Sequence, residues 1–204
     1  MNLSIEKASK LLNKVGIATS VDQDSIKEVV PYYDNFYQLK KINQAWEYSL
    51  VIKEQTNQPS QLEVKVFQDE AEGIKYFFLN SLSRWYDKSK IAPLNKYFSN
   101  QKKYKRSKRG NGKRLSLKKM LSTTNLISGT GVLFKQVNES QYSISIYKDG
   151  VEIRTTIPLS SNRALTLAFR KAVLIYIFET QVEPMLKKEG ITLNQPEDLI
   201  LFLG

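Results

Sequence analysis

The chain's 204 residues, 41% apolar and 25% charged, have the composition of an ordinary globular protein, which excludes a disordered tail or a fibrous repeat. Lys and Arg number 31 against 20 Asp and Glu, and the net charge of +11 favours a polyanionic or acidic partner. With no His and no Cys, imidazole general bases, thiol nucleophiles, and zinc or iron–sulfur centres built on those ligands are excluded, as is any disulfide framework.

The opening MNLSIEKASKLLNK spreads its charges and has no continuous apolar core, unlike a secretory signal. It predicts an amphipathic helix from Ser4 to about Lys14, capped by Ser4, striped by Ile5, Ala8, Leu11 and Leu12, and ended by Gly16. A less regular stretch follows, with Pro31 and the aromatic group Tyr32, Tyr33, Phe36 and Tyr37. Alternation predicts a strand over Trp46 to Ile52 with Trp46, Tyr48, Leu50 and Ile52 on one face. A second strand, with Leu62, Val64 and Val66 on one face, follows the turn TNQPSQ. Asp69 then caps a helix to about Tyr86, carrying Ile74, Phe77, Phe78, Leu82 and Trp85 at helical spacing.

Residues 101–120, QKKYKRSKRGNGKRLSLKKM, hold ten Lys or Arg and no acid, which is nearly the whole net charge. No apolar residue lies between Tyr104 and Leu115, so this segment cannot bury a core face and repels itself. It reads as a basic linker or loop, either a solvated spacer or a phosphate-gripping segment. Ordinary spacers mix acids with their bases, which favours the second. Lys102, Lys103, Lys105, Arg106, Lys108, Arg109, Lys113, Arg114, Lys118 and Lys119 are its candidate contacts to nucleic acid. Gly110 and Gly112 would either let both halves of the run face one partner or form a plain flexible turn.

Beyond the block, GVLFKQ (131–136), QYSISIY (141–147) and VEIRTTI (151–157) predict three antiparallel strands, the last two joined through Lys148-Asp149-Gly150. Tyr142, Ile144 and Ile146 share one face, as do Val151, Ile153, Thr155 and Ile157. A long helix starts at Ser160 or Ser161. It is apolar on nearly every side, which predicts burial against more than its own sheet, with its second face against the N-terminal half. The longest apolar run, Ala172 to Phe178, is seven residues, far short of the ~20 that span a bilayer. Gly190 ends the helical stretch and Pro196 opens a short last helix.

The expected fold is therefore α+β: two small antiparallel-sheet-plus-helix units, packed together and joined by a basic linker, with an N-terminal and a short C-terminal helix. The domain reading is 1–100, 101–120 and 121–204. The shared order of elements is either a diverged duplication or convergence on a stable unit.

Gly129-Thr130-Gly131-Val132, the Asp149-Gly150 turn and the helix start at Ser161 resemble, in order and spacing, the Apetala-type (ethylene-response-factor-like) DNA-binding domain over residues 125–172. The resemblance implies a three-stranded sheet backed by one helix, a phage or mobile-element origin, and a sheet face laid in the DNA major groove. It places Lys135, Ser143, Ser145, Tyr147, Arg154 and Thr156 on that face, with Lys135 and Arg154 as the basic contacts. The family carries several Arg and Trp there, so this face would orient nucleic acid while the basic block supplies most of the affinity.

No catalytic constellation stands out. Ser107 and Arg114 occupy the places where a P-loop needs Gly and Ser or Thr, and Asp69, Glu70 and Glu72 suit a helix N-terminus better than a cation site. The expected function is a cytoplasmic, non-enzymatic nucleic-acid-binding protein (DNA or RNA) with no cofactor, metal or membrane partner. The alternative is an anti-CRISPR-like or antitoxin-like inhibitor or immunity protein on an acidic surface of a bacterial nuclease, toxin or nucleoprotein effector. In that reading Tyr32, Tyr33, Phe36 and Tyr37 are either its anchors or a local core.

Overall fold

The computed structural model describes residues 3–32, 34–53, 60–94 and 129–204. They form an α+β protein with two antiparallel sheets. Two compact units emerge: residues 1–85 with 185–193 and 204, and residues 86–184 with 194–203. The division differs from a serial one at the basic block, because 185–193 belongs to the first unit.

In the first unit, α1 (Ile5–Val15) begins where Ser4 Oγ accepts from Lys7 N at 3.3 Å and ends at Gly16. Ile5, Ala8, Leu11 and Leu12 are all buried, as their spacing predicts. The strands β1 (Thr19–Asp22), β2 (Ser25–Glu28), β3 (Phe36–Ile42), β4 (Ala45–Ile52) and β5 (Ser60–Phe67) form one meander in chain order. The first three replace the expected irregular stretch. They are short and polar, Ile26 and Leu39 are their only fully buried side chains among the described residues, and tight turns at Gln23-Asp24 and Asn43-Gln44 hide the alternation.

α2 (Glu70–Tyr86) starts with Asp69 Oδ1 accepting from Ala71 N at 3.2 Å. Gly73 lets it approach the sheet closely: a Cβ there would sit 3.3 Å from Trp46 Cβ and 3.4 Å from Leu39 Cδ1. The expected burial pattern fails along β4, although its faces keep alternating against β3. A register shift at Tyr48/Ser49 accompanies burial of Ser49 and Val51 while Leu50 and Ile52 stay half-exposed. On β5, Leu62 and Val66 are exposed and Phe67 is buried.

Arg84 of α2 organises the helix–sheet interface. Its guanidinium lies 3.6 Å from the Tyr37 ring centroid and donates to Glu28 Oε1 at 2.5 Å, Tyr48 OH at 2.5 Å and Ser81 Oγ at 3.2 Å, and also to Asn80 Oδ1. Ser81 Oγ donates to the same Glu28 oxygen at 2.8 Å, and Tyr37 stacks on Tyr48 with centroids 5.4 Å apart. Burial raises the Tyr48 hydroxyl pKa and Arg84 pulls against it, so the hydroxyl stays protonated.

In the second unit, β6 (Thr130–Gln136), β7 (Gln141–Lys148) and β8 (Val151–Thr155) pair in order, and β9 (Leu159–Ser160) adds to β7. Asp149 and Gly150 take positive φ values of 49° and 80°, the conformation that a two-residue hairpin turn demands. α3 (Ser161–Ile177) packs Ala164, Ala168 and Leu167 on Ile144, Val132, Phe134 and Tyr142. The helical path runs on through a π turn (Phe178–Val182) into α4 (Glu183–Lys188), where Pro184, which has no N–H to donate, directly follows the loosened turn; from Met185 onward the helix belongs to the first unit. The last helix, α5 (Glu197–Leu203), opens with Asp198 Oδ2 accepting from Asn194 N at 2.6 Å, and Phe202 packs on Phe178 with centroids 5.3 Å apart.

Lys171 on α3 is only 8% exposed and donates to the Leu203 carbonyl. Burial lowers its ammonium pKa from 10.5 to about 8, and Arg170 and Arg154 add repulsion that Asp87 partly offsets. Because the folded pKa lies below the unfolded one, the folded protein releases this proton first. Its stability therefore rises between about pH 8 and the unfolded value of 10.5. Lys171→Met is expected to exceed the parent in stability by about 1–2 kcal/mol at pH 7, after discounting for screening and the lost hydrogen bond. That advantage should shrink as pH approaches 10. Urea denaturation of both proteins across this range checks it, and a gap independent of pH would count against the assignment.

Candidate nucleic-acid interface

The register of the second sheet decides which side chains can meet a ligand. Opposed residues in an antiparallel ladder share a face, so Leu133, Lys135, Ser143, Ser145 and Tyr147 lie together, opposite the face that α3 covers. β8 then places Glu152 opposite Tyr147, but a register shift at Ile146/Tyr147 inserts Ile153, and Arg154 comes to lie opposite Ile146.

The bulge reassigns two of the six face positions. Arg154, expected beside Lys135, is on the helix side, close enough to disfavour the charged form of Lys171. Thr156 Oγ1 accepts from Ile144 N at 3.0 Å and so belongs to the strand ladder. Lys135, Ser143, Ser145 and Tyr147 do share the expected face, although Ser143 and Ser145 are buried in it.

Lys135 is already paired. Its Nζ donates to Tyr147 OH at 2.9 Å and to Glu152 Oε2 at 3.1 Å, and lies 5.4 Å from the Tyr147 ring centroid. Glu152 also accepts from Tyr147 OH at 2.7 Å and from Thr155 Oγ1 at 2.5 Å, while Ser145 Oγ and Thr155 Oγ1 share a hydrogen bond of 2.7 Å. Hydrogen bonds from Thr155, Tyr147 and Lys135 hold the Glu152 carboxyl at about 2, and those to Tyr147 and Glu152 raise the Lys135 ammonium. An incoming phosphate must compete with this carboxylate for the lysine.

The residue pattern by itself assigns Glu152 and Thr155 no place in a site. The signal for Glu152 exists: counting back from the Asp149-Gly150 turn pairs Val151 with Lys148 and Glu152 with Tyr147. Carboxyl titration followed by NMR is expected to place Glu152 near 2 in the parent and higher in Tyr147→Phe, which removes one of its donors. An unmoved titration in that variant would remove Tyr147 from the network.

The basic block lies outside the described residues, and with it Lys102, Lys103, Lys105, Arg106, Lys108, Arg109, Lys113, Arg114, Lys118 and Lys119, as does Tyr33. Among the described residues no cluster of three or more carboxylates gathers to hold a metal, and no helix is long and apolar enough to cross a membrane. Of the aromatic group, Tyr37 joins the Arg84 interface, Phe36 is half-buried, and Tyr32 stands 78% exposed. Comparison with protein-family models, with curated proteins and with solved structures found no match to this chain.

Proposed function

We propose that the protein binds nucleic acid without catalysis, gripping phosphates through residues 102–119 beside an Apetala-like sheet. The observation that carries this reading is the block itself, ten cations in twenty residues with no acid among them. Each phosphate neutralised by such a run releases condensed counterions, a gain that depends on charge alone. The second sheet adds little sequence readout, because Lys135 is held by Glu152 and Arg154 lies on the opposite face. A bidentate base contact is worth about 1–3 kcal/mol of discrimination, and this face presents no unengaged cation among the described residues to make one. The reading is thus of affinity set by phosphate contacts and largely indifferent to sequence.

The test is a salt-titrated binding assay against duplex DNA, single strands and structured RNA. Log affinity is expected to fall linearly with log salt concentration, whatever the sequence. Binding that ignores salt would overturn the proposal.

The exposed Tyr32 favours a second reading, an inhibitor or immunity protein seated on a bacterial nuclease or toxin, since exposed aromatics anchor protein interfaces. A pull-down with and without nuclease treatment separates the two. A protein-only complex survives the treatment, and a nucleic-acid-bridged one does not.

A further inference from the structure

The five-stranded sheet of the first unit has one face under helices. Leu39 and Trp46 lie against Gly73 of α2, and Thr19 Oγ1 bonds to Ser9 Oγ of α1 at 2.7 Å. The ladder puts a different set on the opposite face: Lys27 on β2, Phe36, Gln38 and Lys40 on β3, and Glu47, Ser49 and Val51 on β4. Lys53, two residues past Val51, extends the same row. Its Nζ lies 5.2 Å from the Phe36 ring centroid and 5.3 Å from that of Tyr32, so one ammonium bridges two aromatic rings at the end of the sheet. The Lys53 backbone is fixed in turn, its N–H donating to Asn35 Oδ1 at 2.9 Å.

Tyr32 is 78% exposed, while Tyr48, Phe77 and Phe78 of the same unit are fully buried. Lys27 and Lys40 are exposed on the same face, to which the register also assigns Asp22, Glu47 and, opposite Ser49, Glu63. Rings held at the edge of a sheet by a lysine, with further lysines along that face, match the chemistry of single-stranded nucleic acid: bases stack on aromatic faces while ammonium groups meet phosphates. A duplex cannot use such rings, since its bases are already stacked.

We propose that Tyr32, Phe36 and Lys53 form a stacking platform for bases of single-stranded nucleic acid. This rests on the nucleic-acid reading and adds to it a preference for single strands. Tyr32 and Phe36 stack bases, and Lys53 orients the rings and meets the backbone. The platform supplies strand-type discrimination, and the basic block supplies the salt-dependent affinity common to all nucleic acids.

The experiment measures anisotropy of a labelled oligothymidylate and of a labelled duplex, with the full chain as parent, Tyr32→Ala and Tyr32→Phe. Tyr32→Ala is expected to weaken single-strand binding about five- to a hundredfold, with duplex binding and the salt slope unchanged. Tyr32→Phe, which keeps the ring, should bind within about twofold of the parent. Because Tyr32 is exposed, the variants should fold, and circular dichroism verifies that. If Tyr32→Ala binds single strands as tightly as a parent with a steep salt slope, the platform is wrong and the nucleic-acid reading stands. Equal losses for single strand and duplex also overturn the platform. A parent that binds neither probe overturns both, and a nuclease-resistant protein complex lost in Tyr32→Ala would make the cluster a protein interface instead.

Discussion

Replacing Lys102, Lys103, Lys105, Arg106, Lys108 and Arg109 with glutamine is expected to reduce the salt slope of nucleic-acid binding by about four to five, at roughly 0.7 to 0.9 for each phosphate no longer neutralised. Affinity should fall by orders of magnitude at low salt and by much less at high salt, because the missing term is counterion release and added salt already weakens it. Elution from heparin should move to lower salt in step. Lys135→Gln and Arg154→Gln are expected to change the slope little, since the lysine already faces a carboxylate and the arginine lies across the sheet. Comparing the six-fold variant with these two therefore locates the grip. Equal slopes in all three proteins would place it elsewhere.

Arg84→Met is expected to destabilise the first unit by about 3–5 kcal/mol, one of the largest effects available to a single polar change in this protein. The loss comes less from the attraction that disappears than from what it strands. The Glu28 carboxylate, with its side chain 15% exposed, would lose the guanidinium 2.5 Å away, and Tyr48 OH and Asn80 Oδ1 would lose a donor at the same time. Removing both charges as Arg84→Met with Glu28→Leu should recover most of the loss, because an apolar pair of similar volume avoids the desolvation that the ion pair has to offset. Chemical denaturation of the three proteins checks this, and a single-variant loss below about 1 kcal/mol would mean that water reaches and satisfies Glu28.

Local chemistry is legible in the sequence wherever one residue type admits one conformation. Ser4 and Gly16 bound α1, Asp69 caps α2, and Asp149-Gly150 turns β7 into β8. What the residue string hides is of two kinds. Register shifts at Tyr48/Ser49 and Ile146/Tyr147 set one step of β4 or β7 against two residues of β5 or β8, and no pattern in β5 or β8 announces the extra residue. That is why simple alternation puts Arg154 on the Lys135 face, whereas on β4 the faces do alternate and only the burial departs from expectation, with Ser49 and Val51 buried and Leu50 half-exposed. Long-range polar pairing is equally invisible: Glu28 and Arg84 are separated by 56 positions, and only the fold brings them together. For the candidate site the balance is reversed. The cationic block is evident from composition alone, whereas the Lys135–Glu152 pair that occupies the neighbouring sheet, and the Lys53 bridge between Tyr32 and Phe36, need coordinates.

The first unit takes residues 185–193 from beyond most of the second, and Glu189 in that loan receives Lys7 through its carbonyl at 2.6 Å and its carboxylate at 3.5 Å. Such interlacing has an evolutionary corollary. A gene break inside the cationic stretch would deliver an N-terminal piece missing ten residues of its unit, 185–193 and 204, and a C-terminal piece carrying them. A single crossover in that stretch would therefore cut through the first unit rather than pass between the two.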